Sequence, residues 1–371
     1  MRPYDYGRHF PARPLIWEAG RIRGETAVAA PTCFLHTFAP GLLFLAGITL
    51  HGTVSALPLA DPAERPVAEA IGRYEADSLA GGPGKDGIPA IDSPQFEAAD
   101  QSDLDPGDKV IGLYYKGEAR AYPQSTLVWH EIVNDTIDGD GIAITYCPLT
   151  GSAVGFERGE TELGVSGRLV NSNLVMYDRT SDSRFPQILA TGITGRHRRE
   201  ALREVRLIWT TWEAWRTRYP QTRVLSRNTG FLRNYGDDPY GTYNPVTGYY
   251  RPDSRALFPA MHTDDRYPAK QVVLGLRDRN GAVAIDKTRL ARDGVIEFSR
   301  GGDHYLAIHD PVLDTGWLFR AGQSVSVDPS AVEFGPEGPR FPGRDALTPI
   351  NAFEVMWFAW FAFYPDTGHL Q

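Results

Sequence analysis

The chain has 371 residues, 42% of them hydrophobic and 23% charged, which gives enough apolar material for a globular fold of two or three domains or of repeated units. A net charge of -8 leaves no basic footprint and no nucleic-acid module is recognisable, so binding through phosphate neutralisation is excluded. Two cysteines, Cys33 and Cys147, exclude a disulfide framework and a multi-cysteine zinc or iron–sulfur centre.

Residues 1–56 read as a leader or anchor region. From Phe38 to Ala60 the chain carries no charge, and Gly41 to Leu50 has the length of a secretory apolar segment. Pro40, His51, Gly52, Thr53 and Pro58 break it too often for a membrane span of about 20 apolar residues. Val54-Ser55-Ala56 offers the small residues of a cleavage site, with Leu57 as the new first residue. The reading is an exported protein, periplasmic or membrane-anchored on the extracytoplasmic side, with membrane association through this apolar segment. Cleavage would leave Cys147 as a lone thiol in an oxidising compartment.

Residues 57–107 form an N-terminal extension ending in the loop Gly81-Gly82-Pro83-Gly84-Lys85-Asp86-Gly87, which lacks the spacing of a phosphate-binding loop. Beyond it the sequence matches itself. Val110-Ile111-Gly112-Leu113 aligns with Val273-Leu274-Gly275-Leu276 at a shift of 163 residues, as do Leu127 with Leu290 and Phe156 with Phe319. The pattern W-x-x-W-x-x-x-Y-P-x-T-x-x-L, from Trp212 to Leu225, recurs from Trp357 to Leu370 at a shift of 145. Each unit reads as two strands, in copy one around the Lys116-Gly117 turn, a short helix, two more strands, an irregular segment and a final helix, which in copy two is apolar nearly all round. The expected fold is α+β and β-rich, two tandem repeats of a strand/helix unit related by approximate two-fold symmetry. Repeat one is placed at 108–230, a connecting segment at 231–270, and a degenerate repeat two at 271–371.

The copies differ where chemistry can sit. Trp129-His130-Glu131 stands opposite Arg292-Asp293-Gly294, and Tyr146-Cys147 opposite His309-Asp310. The motifs W-H-E-I-V-N-D (129–135), T-Y-C-P-L-T-G-S-A (145–153), N-S-N-L-V-M-Y-D-R (171–179) and D-P-Y-G-x-Y (238–243) follow G-G-P-x-x-D-G-I-P-A-I-D (81–92). From about Gly81 to the C-terminus this order resembles the prokaryotic family catalogued as domain of unknown function 3179. The resemblance implies an exported or membrane-associated protein and implies no reaction.

Three uses of these residues are open. Thiolate, imidazole and thioether suit copper, so His130, Cys147 and Met176 form a candidate soft-metal set, with His262 as a second histidine ahead of His197 and His309. This mononuclear copper site with a redox role is the leading expectation. Alternatively Cys147 is a nucleophile, His130 lowers its pKa and Glu131 orients the imidazole, which makes Cys147, His130 and Glu131 the catalytic candidates. The third reading is a binding protein whose cleft holds a small molecule through Asn171, Asn173, Asp178 and Arg179. Asp237-Asp238-Pro239 lacks the alternating oxygen ligands of a calcium loop and reads as a turn.

Overall fold

The computed structural model describes residues 57–65, 71–341 and 347–370. The leader-like stretch up to Ala56 and Cys33 lie outside the described residues. Among the described residues no helix is long and apolar enough to cross a membrane.

Strands alternate with tight turns, and among the described residues five sheets of four or five strands result, together with a two-stranded ribbon of Glu333–Gly335 and Gly338–Arg340. The first holds Ile208–Thr211, Lys109–Tyr115, Glu118–Pro123, Arg223–Leu225 and Phe96–Ala98, in that order. The second holds Glu204–Val205, Ser152–Glu157, Asp140–Cys147 and Ile132–Ile137. The third runs Leu79–Ala80, Leu163–Val170, Asn173–Asp178 and Arg184–Pro186. The fourth runs Ala352–Met356, Val272–Asp278, Gly281–Asp286 and Gly368–Leu370. The fifth runs Val295–Arg300, Asp303–Asp310, Thr315–Ala321 and Thr348–Ile350. Within these sheets pairing is antiparallel except where Arg223–Leu225 joins Glu118–Pro123 and Gly368–Leu370 joins Gly281–Asp286 in parallel.

This corrects the expected α+β architecture of two tandem strand/helix repeats about a two-fold axis. The sheets stand as blades in a five-bladed, β-propeller-like arrangement, and helices are few and short. The physical reason is that backbone hydrogen bonding closes each small sheet on itself, so a matching sequence block is no closed unit and instead divides its strands between two blades. The third blade takes one strand from the N-terminal extension and the rest from the segment 163–186, which has no matching partner.

The matching positions report likeness between individual blades. Trp212–Arg218 packs on the first blade so closely that a Cβ on Gly112 would stand 2.2 Å from the Trp215 ring. Trp357–Phe363 packs on the fourth, where a Cβ on Gly275 would stand 2.3 Å from the Trp360 ring. Glycine is required at both places because the indole occupies the space a side chain would need. Each indole N–H then donates to a threonine seven residues on, Trp215 to Thr222 at 2.9 Å and Trp360 to Thr367 at 3.0 Å. That bond satisfies the one polar atom of a buried tryptophan and explains the threonine of the repeated pattern. Both helices bury their tryptophans, and the second is buried on nearly every side.

Candidate functional site

Pro123 ends a strand and starts the helical turn Gln124–Leu127, which continues through Val128, Trp129 and His130 by backbone bonds. Glu131 stops it. Its N–H donates to the Leu127 carbonyl at 2.7 Å while its φ is +58°, the left-handed conformation that commonly ends a helix and favours glycine. The corresponding residue of the fourth and fifth blades is Gly294, with φ +73° and the same bond to Leu290 at 2.9 Å. A side chain at such a φ costs about 1 kcal/mol or more. Glutamate therefore occupies a place where the backbone prefers glycine.

The Glu131 carbonyl accepts from the Tyr146 N–H at 2.8 Å, which carries the strand pairing one step past Ile132 and brings Glu131 to the end of the strand that finishes at Cys147. The Glu131 residue is buried, 7% exposed. Burial alone pushes it up from 4.5 to about 8. Cys147 is 1% exposed; its thiol donates to the Ser172 carbonyl at 3.8 Å and accepts from the Leu174 N–H at 3.4 Å. Burial, and then the Glu131 carboxylate, push the thiol up to about 11. The backbone bond from Tyr146 to Glu131 places the two residues at the same strand end.

His130 is placed differently from the expectation of an imidazole set on the thiol. Its Nδ1 meets the Pro89 carbonyl at 2.8 Å, and its Nε2 meets the Tyr235 hydroxyl at 2.7 Å. A carbonyl only accepts, so Nδ1 carries the proton and Nε2 accepts from the tyrosine. Burial lowers the ring to about 4, so it stays neutral. His130 ties the loop at Pro89 and the segment around Tyr235 to the end of the helical turn.

Both His130 nitrogens are thereby engaged. Met176 is fully buried, opposite Val165 and Phe185 in the third blade, within the apolar cluster that also contains Cys147. His262 is half-buried in the irregular segment after Met261. Among the described residues, no three His, Cys, Asp or Glu side chains are gathered as metal donors. As placed, His130, Cys147, Met176 and His262 do not fit a copper ion.

The four residues considered for substrate are internal ties. Asn171 donates to the Ala362 carbonyl at 3.1 Å and accepts from the Met261 N–H at 2.9 Å. Asn173 donates to Thr150 and Gln187 and accepts from Ile188, and Gln187 in turn bonds Thr145 and Ser152. This buried network fixes the turn after Cys147. Asp178 accepts from the N–H groups of Thr180 and Ser181, and Arg179 pairs with Asp92 and Glu162 near the surface.

A group of tyrosines completes the site and was not expected. Tyr240 is pushed up by burial and then by Glu131 and Cys147, while Tyr243 and Tyr249 also feel Cys147. Tyr243 stacks on Tyr250 with centroids 3.9 Å apart, and Trp209 stands between Tyr146 and Tyr243 at 5.3 Å from each. Asp238 holds the arrangement by accepting from Gln124 at 2.7 Å, from the Tyr250 hydroxyl at 2.9 Å and from the Tyr240 N–H at 2.8 Å. The D-P-Y-G-x-Y motif is the signal that marks these residues in the sequence.

No curated protein and no solved structure matches the chain. Residues 85–367 match the family model described as "Protein of unknown function (DUF3179)", and the chain belongs to that family.

Proposed function

We propose that the protein is an enzyme in which Cys147 is the nucleophile and Glu131 its acid–base partner. The observation that carries this reading is Glu131 itself, a buried residue held at a φ that favours glycine, bonded through its carbonyl to the strand end that carries the one cysteine among the described residues. Strain kept at one position while the corresponding position uses glycine points to a side chain retained for chemistry. An acid near 8 is also well matched to proton transfer at neutral pH. In the step, the Cys147 proton passes to the Glu131 carboxylate as sulfur bonds to an electrophilic carbon. Glu131 then gives that proton to the leaving group as its bond to the carbon breaks.

The test is alkylation of Cys147 by the uncharged reagent iodoacetamide in a Cys33→Ser background. The rate should rise as pH passes about 8 and should drop at least tenfold in Glu131→Gln. Equal rates in the two proteins would remove Glu131 from the reaction. The copper reading would require His130 to release Pro89 or Tyr235 and Met176 to leave its cluster; elemental analysis of protein supplied with copper, zinc and iron tests it. Export is proposed on the leader-like segment, and N-terminal sequencing of the expressed full chain should then begin near Leu57.

A further inference from the structure

We propose that a cavity lined by the second, fourth and fifth blades binds a small organic carboxylate, with Arg277 and Arg320 as its donors and Glu64 as the internal carboxylate that it displaces. This inference goes beyond the Cys147 reading and shares no residue with it.

The cavity is the first ground. Its volume is about 450 Å³, and it is lined by Glu204 of the second blade, Arg277 of the fourth, Arg320 of the fifth, and Glu64 and Arg65 of the N-terminal extension. Three guanidiniums therefore meet around one space. Arg277 is 6% exposed; its Nη2 donates to Glu204 at 2.8 Å, while its Nε and Nη1 have no hydrogen-bond partner among the described residues. Two idle donors on a buried guanidinium call for an acceptor. The carboxylates alongside are already taken. Glu204 accepts from Arg65, Arg277 and Asn351, and Asp278 accepts from the Asn280 N–H and the Tyr305 hydroxyl. Burial, and then the neighbouring Arg65, push Arg277 below its ordinary value, an effect that an anion at Nε and Nη1 would oppose.

Glu64 is the second ground, because it shows what these arginines hold. Its carboxylate accepts from Arg279 at 3.0 Å and from Arg320 at 2.7 Å, although it belongs to a turn of the extension and its side chain is 42% exposed. An exposed ion pair contributes little, so this carboxylate can leave at small cost. Glu64, Glu204 and Asp278 match Arg65, Arg277 and Arg320 in number, so the cavity has an excess of donors and no excess of charge. A carboxylate from solution therefore enters by exchange for Glu64, and it gains the planar fork of an arginine that suits its two oxygens.

The experiment is calorimetric titration of the full chain at pH 7.5 with sodium butyrate and, as the uncharged isostere, butyramide, at one ionic strength. Saturable binding of butyrate and none of butyramide is expected. Glu64→Gln should tighten butyrate binding at least threefold by removing the competing carboxylate. Arg277→Lys keeps the charge but loses Nε and Nη1, and should weaken binding at least tenfold. Urea unfolding without ligand shows whether each variant is folded, and Glu64→Gln, which changes an exposed pair, decides the matter where Arg277→Lys is not. No saturable butyrate binding, equal binding of butyramide, or binding that Glu64→Gln weakens or leaves unchanged would overturn the proposal.

Discussion

Glu131→Gln isolates the energetics of the site, because glutamine keeps the shape and the left-handed φ while removing the titration. The folded protein holds the acid at about 8, against 4.5 for the exposed group. A carboxyl raised on folding contributes nothing unfavourable below about pH 4.5, where both states are protonated. As pH rises from 4.5 to about 8 the unfolded chain ionises and the folded one does not, so wild-type stability falls across that window. At about 1.36 kcal/mol per pH unit the full effect is about 5 kcal/mol above pH 8 and about 3 kcal/mol at pH 7. Urea unfolding of both proteins from pH 4 to 9 should therefore give nearly equal stabilities at pH 4. The variant should become progressively more stable than wild type towards pH 8, while titrating groups that Glu131 does not touch cancel in the comparison. A difference that stays flat within about 0.5 kcal/mol over this range would mean that the carboxyl is solvated, and the argument for a buried acid would fail.

Gly112→Ala and Gly275→Ala should each destabilise by about 1–3 kcal/mol or more in urea unfolding, because the added methyl meets an indole that cannot yield. A loss at only one of the two would separate the blades that share this packing. Glu204 accepts from Arg65, Arg277 and Asn351 and is held below the usual carboxylate range by those arginines despite its burial. Glu204→Gln should cost about 3–5 kcal/mol at pH 7 by stranding buried charge. Because its titration is depressed, the stability it contributes is present above about pH 4.5 and lost as pH falls further. The His130 ring resonances should not move between pH 5.5 and 8, and NMR titration showing protonation near 6.5 would contradict its burial between Pro89 and Tyr235.

Local structure was legible where the chemistry is local. Lys116-Gly117 turns a hairpin with both residues at positive φ, Trp212 and Trp215 share a buried helical face, and Cys147 ends a strand. The architecture was not, because periodicity and self-matching report which strands resemble each other and are silent about which edges hydrogen-bond. Nothing in the text of the matched blocks says that residues 109–123 and 132–157 belong to different blades. The site was half legible. Comparing the copies singles out His130 and Cys147, with Glu131 next to the histidine, and chemical habit gives the thiol to the imidazole. His130 instead points to Pro89 and Tyr235, since successive residues at the end of a helical turn leave in different directions. The tyrosines come from 240–250, about a hundred residues downstream of Glu131, and only the folded chain brings them to it.

The two residues that occupy the place of Cys147 in the second and fifth blades show what one scaffold position can be used for. In the fifth blade it is Asp310, fully buried, which accepts from Arg218 at 3.1 Å and from the N–H groups of Val312 and Leu313 at 3.1 Å. Its Oδ1 alone caps a turn and holds the helix of the first blade against the fifth, while its buried Oδ2 makes no hydrogen bond among the described residues, and the residue at 294 is glycine. In the second blade the turn after the strand is held by Thr150, Ser152, Asn173 and Gln187 instead. With that holding role moved to neutral side chains, the strand end is free to carry a thiol and the neighbouring cap to carry a carboxyl. The replacement of an aspartate tie by a neutral network is thus what permits Glu131 and Cys147 to stand together without either being consumed by the fold.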